Sequence, residues 1–113
     1  MASLLINTDN TQPVAIMSVK GRVDSETAPE LDSALSDLLL SNRNKIVLNL
    51  SAVEFLSSAG LRTLVKALKQ AQETGGELRL ASVSEPIEVI LRTVGMLQMF
   101  KMFATSEEAA VGF

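Results

Sequence analysis

Apolar positions along the chain fall into two alternating rhythms. Residues 4–6 and 14–19 are short apolar runs, partly β-branched, separated by residues 7–13 (NTDNTQP), a stretch dense in turn formers; together they predict a β-hairpin. Leu31, Ala34, Leu35, Leu38 and Leu39 then recur at the i, i+3, i+4, i+7, i+8 spacing of a helix with one buried face. Thr27, Pro29 and Glu30 stand at its start with the spacing of a capping box, Thr27 as N-cap and Glu30 at N3, and the helix should end near Ser41-Asn42. Residues 45–50 (KIVLNL) are apolar almost without alternation, as expected of a central strand covered on its faces by helices.

A second helical face follows at Leu61, Leu64, Val65, Leu68 and Ala71, with Gly75-Gly76 as a left-handed stop. Residues 77–81 form a brief strand, and Ser84 can cap a third helix carrying Ile87, Ile90, Leu91 and Val94 and closed by Gly95. Residues 100–103 fit an edge strand, and Ser106-Glu107-Glu108 opens a short last helix whose carboxylates suit the helix dipole. Strands alternating with helices imply βαβ crossovers, so the predicted class is α/β: a mixed, mainly parallel sheet with crossover helices and a leading hairpin. With 113 residues and no internal repeat or linker, one domain over 1–113 is expected.

Composition narrows the function. The chain has no cysteine and no histidine, which removes thiolate chemistry, disulfides and the commonest metal ligand and acid–base side chain. Ten basic and thirteen acidic residues give a net charge of -3 without a basic stripe, so nucleic acid is not an expected partner. Trp and Tyr are absent, and with them the aromatic platforms on which sugars or unstacked bases rest. No apolar run is long enough to span a membrane and no export signal opens the chain, so a cytoplasmic protein with no membrane partner is expected. Neither an enzyme nor a cofactor is expected.

The candidate chemistry lies in residues 51–61 (SAVEFLSSAGL), read as the linker from the central strand to its crossover helix and therefore at the carboxyl edge of the sheet, where α/β proteins usually meet ligands and partners. Ser57 or Ser58 would be the N-cap. Such a serine can simply cap the helix, or it can also accept a phosphate, which would gain from the first-turn amides and the dipole. A hydrolase nucleophile is disfavoured, because there is no GxSxG elbow and no histidine base. Asp24, at the end of the second strand, is either a turn former or a site residue; the second role requires the ends of the second and third strands to be neighbours. Glu54 and Arg62 read as solvated charges, Arg62 also as a contact for a partner's acid. Met96-Leu97-Gln98-Met99 reads as core, with an exposed contact patch as the alternative.

Residues 19–24 (VKGRVD), 46–51 (IVLNLS) and 55–61 (FLSSAGL), Gly75-Gly76 before a short strand, and Val94-Gly95 closing the third helix resemble, in order and spacing, the STAS domain of bacterial anti-sigma-factor antagonists. The resemblance covers nearly the whole chain. In that family the corner motif is Asp-Ser-Ser-Gly-Leu, and its first serine is phosphorylated by an anti-sigma factor that is also a serine kinase with a GHKL-type ATP site. The unphosphorylated antagonist binds that factor and frees the sigma factor; a serine phosphatase resets the switch. The resemblance thus implies Ser58 as the acceptor, with Ser57 as second choice. It also implies a partner surface of Asp24, Ser57, Ser58, Ala59, Gly60 and Arg62, and it aligns Asn49 with a polar strand position. Ser57 replaces the motif's aspartate, Ala59 its second serine, and Arg62 a residue that is often small. The alternative is a phosphorylation-independent STAS scaffold subunit of a transporter or stress-signalling complex; nucleotide binding near Ser58 ranks lower, for want of a Gly-rich phosphate loop.

Overall fold

In the chain, of which the computed structural model describes residues 3–113, strands β1 (Leu5–Asp9), β2 (Ala15–Val23), β3 (Lys45–Leu56), β4 (Glu77–Ala81) and β5 (Met102–Phe103) form a sheet in the order β1-β2-β3-β4-β5. β1 and β2 pair antiparallel as the predicted hairpin, and every later pair is parallel. Helices α1 (Ala28–Leu40), α2 (Ser58–Glu73) and α3 (Glu85–Thr93) make the crossovers, and a short α4 (Ser106–Ala109) follows β5.

This strand order dictates the layering. When parallel strands are added one after another in one direction, each crossover of the usual right hand returns on the same side, so all three helices share a face. The main core shows this: Leu31, Leu35, Leu61, Leu64, Leu68, Ile87 and Leu91 pack with Met17, Ile46, Leu48, Leu50, Leu78 and Leu80. The opposite face is covered only in part. There Val14, Val47, Ala81 and Ala109 form a second, small cluster with Phe103 and Phe113 against it.

That uneven cover explains where the structure departs from the sequence reading. Residues 51–56, expected as a linker, are the second half of β3, which pairs with β2 as far as Val23↔Leu56. Beyond Asn49 the second face is open, so Ser51, Ala52 and Glu54 are exposed while Val53 and Leu56 remain buried, and the uninterrupted apolar pattern gives way to a broken one. β2 runs to Val23, so Asp24 follows its end as expected; its pairing with β3 shifts register between Ser18 and Lys20 and again between Gly21 and Arg22, where the Gly21 φ of +124° favours glycine.

The capping box at α1 does not form. Thr27 is at the N-cap, but its hydroxyl donates to the Arg22 carbonyl at 2.6 Å instead of accepting from the first turn, and Glu30 accepts from the Leu4 N–H at 3.2 Å. Ser84 is at the N-cap of α3 without a side-chain cap bond. Gly75 and Gly76 do end α2 as expected: Gly75 has φ +85°, and the Gly76 N–H bonds the Ala71 carbonyl at 2.8 Å. Residues 96–99 divide between the two readings, Met96 and Leu97 packing against the core while Met99 stays exposed.

Candidate functional site

The site is the corner where β3 turns into α2, beside the end of β2. The Ser57 N–H, one residue past the last pair Val23↔Leu56, donates to the Val23 carbonyl at 2.8 Å. Asp24 and Ser57 therefore leave the sheet side by side, which meets the condition that Asp24 needed for a place in the site.

Ser57 is extended (φ -81°, ψ 174°), and its Oγ accepts the Gly60 N–H at 3.3 Å, so Ser57 is the N-cap of α2. Its carbonyl accepts the Leu61 N–H at 2.9 Å and starts the helical ladder. Ser58 is the first helical residue and is exposed, with its hydroxyl in the region where the leading N–H groups of a helix lack intrahelical partners. Ala59 is half-buried. Gly60 is buried, because α2 sits so close to the strand ends that a Cβ there would lie 2.6 Å from Val23 Cγ1 and 2.7 Å from Leu56 Cδ1. Leu61 is anchored in the core one residue later.

Asp24 organises the neighbouring turn. Its Oδ1 accepts the N–H groups of Glu26 at 3.0 Å and Thr27 at 3.1 Å, while its own N–H donates to Thr27 Oγ1 at 2.9 Å. Its carbonyl accepts the Ala28 N–H at 2.8 Å. The turn-former reading of Asp24 is thus realised. The Thr27 N–H above all holds the Asp24 carboxyl below its ordinary range, with the Glu26 N–H, the Thr27 hydroxyl and nearby Arg22 adding to it against a partial desolvation. The group is a carboxylate at neutral pH, adjoining the serines.

Arg62 is exposed one turn beyond Ser58. With Ser25, Pro29, Asp32, Ala59 and Lys66 it lines an open groove of about 300 Å³ between the first halves of α1 and α2. Lys66 reaches across that groove to Asp32 at 3.1 Å. Glu54 is exposed on β3, and Arg22 lies over the ring of Phe55 at 4.6 Å. Asn49 is remote from the corner: its Nδ2 donates to Ser106 Oγ at 2.8 Å, joining β3 to α4.

Sequence reasoning passed over Arg79. This buried arginine donates to the carbonyls of Ala109, Val111 and Gly112 at 2.7 to 3.0 Å, pairs with Glu77 at 3.2 Å, and stacks over Phe113 at 4.0 Å. Its one signal was a charge between Leu78 and Leu80 in a short strand; the carbonyls it holds lie about thirty residues away. Among the described residues there is no cluster of three or more Asp or Glu side chains placed to hold a metal ion, and no helix long and apolar enough to cross a membrane.

A five-stranded sheet with one antiparallel pair, three crossover helices on one face and a serine corner between β3 and α2 is the architecture of a STAS domain, and the STAS domain family model matches residues 6–109. The chain belongs to the STAS-domain anti-sigma-factor antagonist family. It is 30% identical over 113 residues to the anti-sigma-F factor antagonist RsfB of Mycobacterium tuberculosis, covering 97% of this chain and 89% of the relative. The solved structure of TM1081 from Thermotoga maritima superposes with a TM-score of 0.86 at 28% identity, over 92% of this chain and 90% of that one. Unphosphorylated SpoIIAA, an anti-sigma factor antagonist, shares the fold, with a TM-score of 0.80 at 17% identity over 93% of this chain and 92% of the other.

Proposed function

We propose that this chain antagonises an anti-sigma factor through the corner around Ser58, and that phosphorylation of Ser58 switches the antagonism off. The partner is a serine-kinase anti-sigma factor with a GHKL-type ATP site. Its capture by the unmodified chain frees the sigma factor, and a serine phosphatase restores the active form. The contact surface comprises Asp24, Ser57, Ser58, Ala59, Gly60 and Arg62.

The observation that carries this reading is the exposure of Ser58 as the first residue of α2, beside a half-buried Ser57 whose oxygen is already used as the cap. An incoming kinase can reach the Ser58 hydroxyl without dismantling the helix start; Ser57 would have to give up its bond to Gly60. In the reaction the Ser58 oxygen bonds the γ-phosphorus of ATP, the bond to the β-phosphate oxygen breaks, ADP leaves, and the hydroxyl proton passes to a base of the kinase. The product carries about -1.5 to -2 charges at neutral pH, next to the Asp24 carboxylate and on a surface that must be desolvated for the partner to bind. A differential of about 3 kcal/mol between the two forms weakens binding more than a hundredfold, with no refolding required. The antagonist names of the relatives support the same partner class.

The test is intact-mass and peptide mass spectrometry after incubation with ATP and the serine-kinase anti-sigma factors of the source organism, alongside affinities of Ser58→Ala and Ser58→Glu. One phosphate on Ser58, tight binding by the alanine variant and poor binding by the glutamate variant are expected. Equal affinity of the two variants, or a phosphate on Ser57 instead, overturns the reading. Tight binding without any phosphate would establish a phosphorylation-independent scaffold.

A further inference from the structure

We propose that Arg62 is the internal counter-ion of phosphorylated Ser58: the same guanidinium that faces a partner in the unmodified chain folds back onto the phosphate once it is installed. This rests on the assignment of Ser58 as the acceptor.

The placement carries the inference. Ser58 and Arg62 are four residues apart within α2, both exposed, so their side chains emerge on one face with Cβ atoms about 5 to 6 Å apart. Phosphoserine and arginine together span that distance with ease, and a guanidinium offers the planar pair of N–H donors that suits phosphate oxygens. The order is also favourable, with the anion at the helix N-terminal end and the cation one turn later. Arg62 is available for the task. Among the described residues its side chain forms no ion pair, whereas Lys66, the next cation on this helix, is bound to Asp32. No acidic residue stands in the first turn of α2 to compete for it.

The consequence is a switch with two parts. Phosphorylation adds negative charge to the contact surface, and it also withdraws a positive one. A partner carboxylate that meets Arg62 before modification finds afterwards a phosphate with its counter-ion already engaged. This makes the off state partly a property of the chain itself, set by a residue that stands where the family motif often has a small one.

The test uses the full chain carrying phosphoserine at position 58, introduced by genetic code expansion so that no kinase is involved, with Arg62, Arg62→Gln or Arg62→Lys. The readout is the second ionisation of the phosphate, followed by phosphorus NMR across pH 4 to 8. An exposed ion pair of the ordinary strength lowers that pKa by about 0.2 to 0.5 unit, so Arg62→Gln should raise it by that amount and Arg62→Lys should restore part of the difference. The shift should shrink in about 1 M salt. Arg22, Asp24, Glu26 and Glu54 at this end of the sheet, and Asp32 and Lys66 in the groove beside Arg62, are common to all three proteins and cancel in the comparison. Identical titrations of the arginine and glutamine forms overturn the pairing. Because phosphoserine is installed directly, a failure of the kinases to modify Ser58 would count against the proposed switch and leave this measurement standing.

Discussion

Gly60→Ala is the substitution for which the geometry makes the sharpest demand. The added methyl would lie 2.6 Å from Val23 Cγ1, 2.7 Å from Leu56 Cδ1 and 3.4 Å from Val23 Cβ. Neither partner is the tip of a long flexible chain: Val23 is β-branched and stiff at χ1, and both are at most 2% exposed. Alanine is the better helix former by up to about 1 kcal/mol, which works in favour of the variant. Overpacking a closed site costs about 1 to 3 kcal/mol, and with two contacts this short the upper half of that range applies. The net expectation is a loss of about 1 to 2 kcal/mol. Urea unfolding followed by circular dichroism should show the midpoint falling with an unchanged slope. Gly75→Ala makes a useful companion, since that position has a left-handed φ of +85° but nothing within 4 Å of the new methyl, so its cost is conformational alone. Wild-type stability or better in Gly60→Ala would refute the close approach of α2 to the strand ends.

Other residues offer independent checks. Ser57→Ala removes the cap oxygen from Gly60 and should cost about 0.5 to 2 kcal/mol in the same urea assay, while Ser58→Ala, exposed and outside the cap, should fall within about 0.5 kcal/mol of wild type. Arg79→Ala leaves three C-terminal carbonyls without their donor and Glu77 with Lys101 as its remaining cation; a loss of about 2 to 4 kcal/mol and faster hydrogen exchange over residues 109–113 are expected. For Asp24 the folded carboxyl titrates below its ordinary 3.8, so the native state favours the ionised form. Its contribution is present above about pH 3.8 and fades as the pH falls through the lower folded value, and the stability gap between wild type and Asp24→Ala should close over that acid window; a gap independent of pH would contradict the assignment.

The helices were legible because each carries its apolar residues on one face of a 3.6-residue repeat, and all three crossover helices begin and end within a residue or two of the expected positions. The central strand was legible only as far as Leu50. Its first half lies under helices on one face and the second cluster on the other, and reads as a continuous apolar run; its second half has one bare face and looks like a loop to any pattern that expects burial on both sides. The serine corner was found, but which serine caps depended on that same strand end, because only with β3 running to Leu56 does Ser57 take the extended conformation of an N-cap. Thr27 and Glu30 had the right spacing for reciprocal caps, yet Asp24 lies three residues upstream and takes the role through its own side chain, while Glu30 is drawn to Leu4. Local sequence states which groups can bond; it does not rank competitors brought close by the fold. Arg79 is the extreme case, since every carbonyl it holds comes from a segment about thirty residues later.

The tight seating of Gly60 against Val23 and Leu56 also bears on recognition. A phospho-acceptor on a floppy loop must surrender its conformational freedom when a kinase or binding partner closes over it, and affinity falls by that amount. Ser58 instead stands between a strand end hydrogen-bonded to its neighbour and a helix wedged onto the same strands, with its backbone fixed in advance. On the proposed reading, a partner meets at this corner a surface already set in place, so selectivity falls to shape and charge at a few side chains, and small chemical edits there can be read out at nearly full strength.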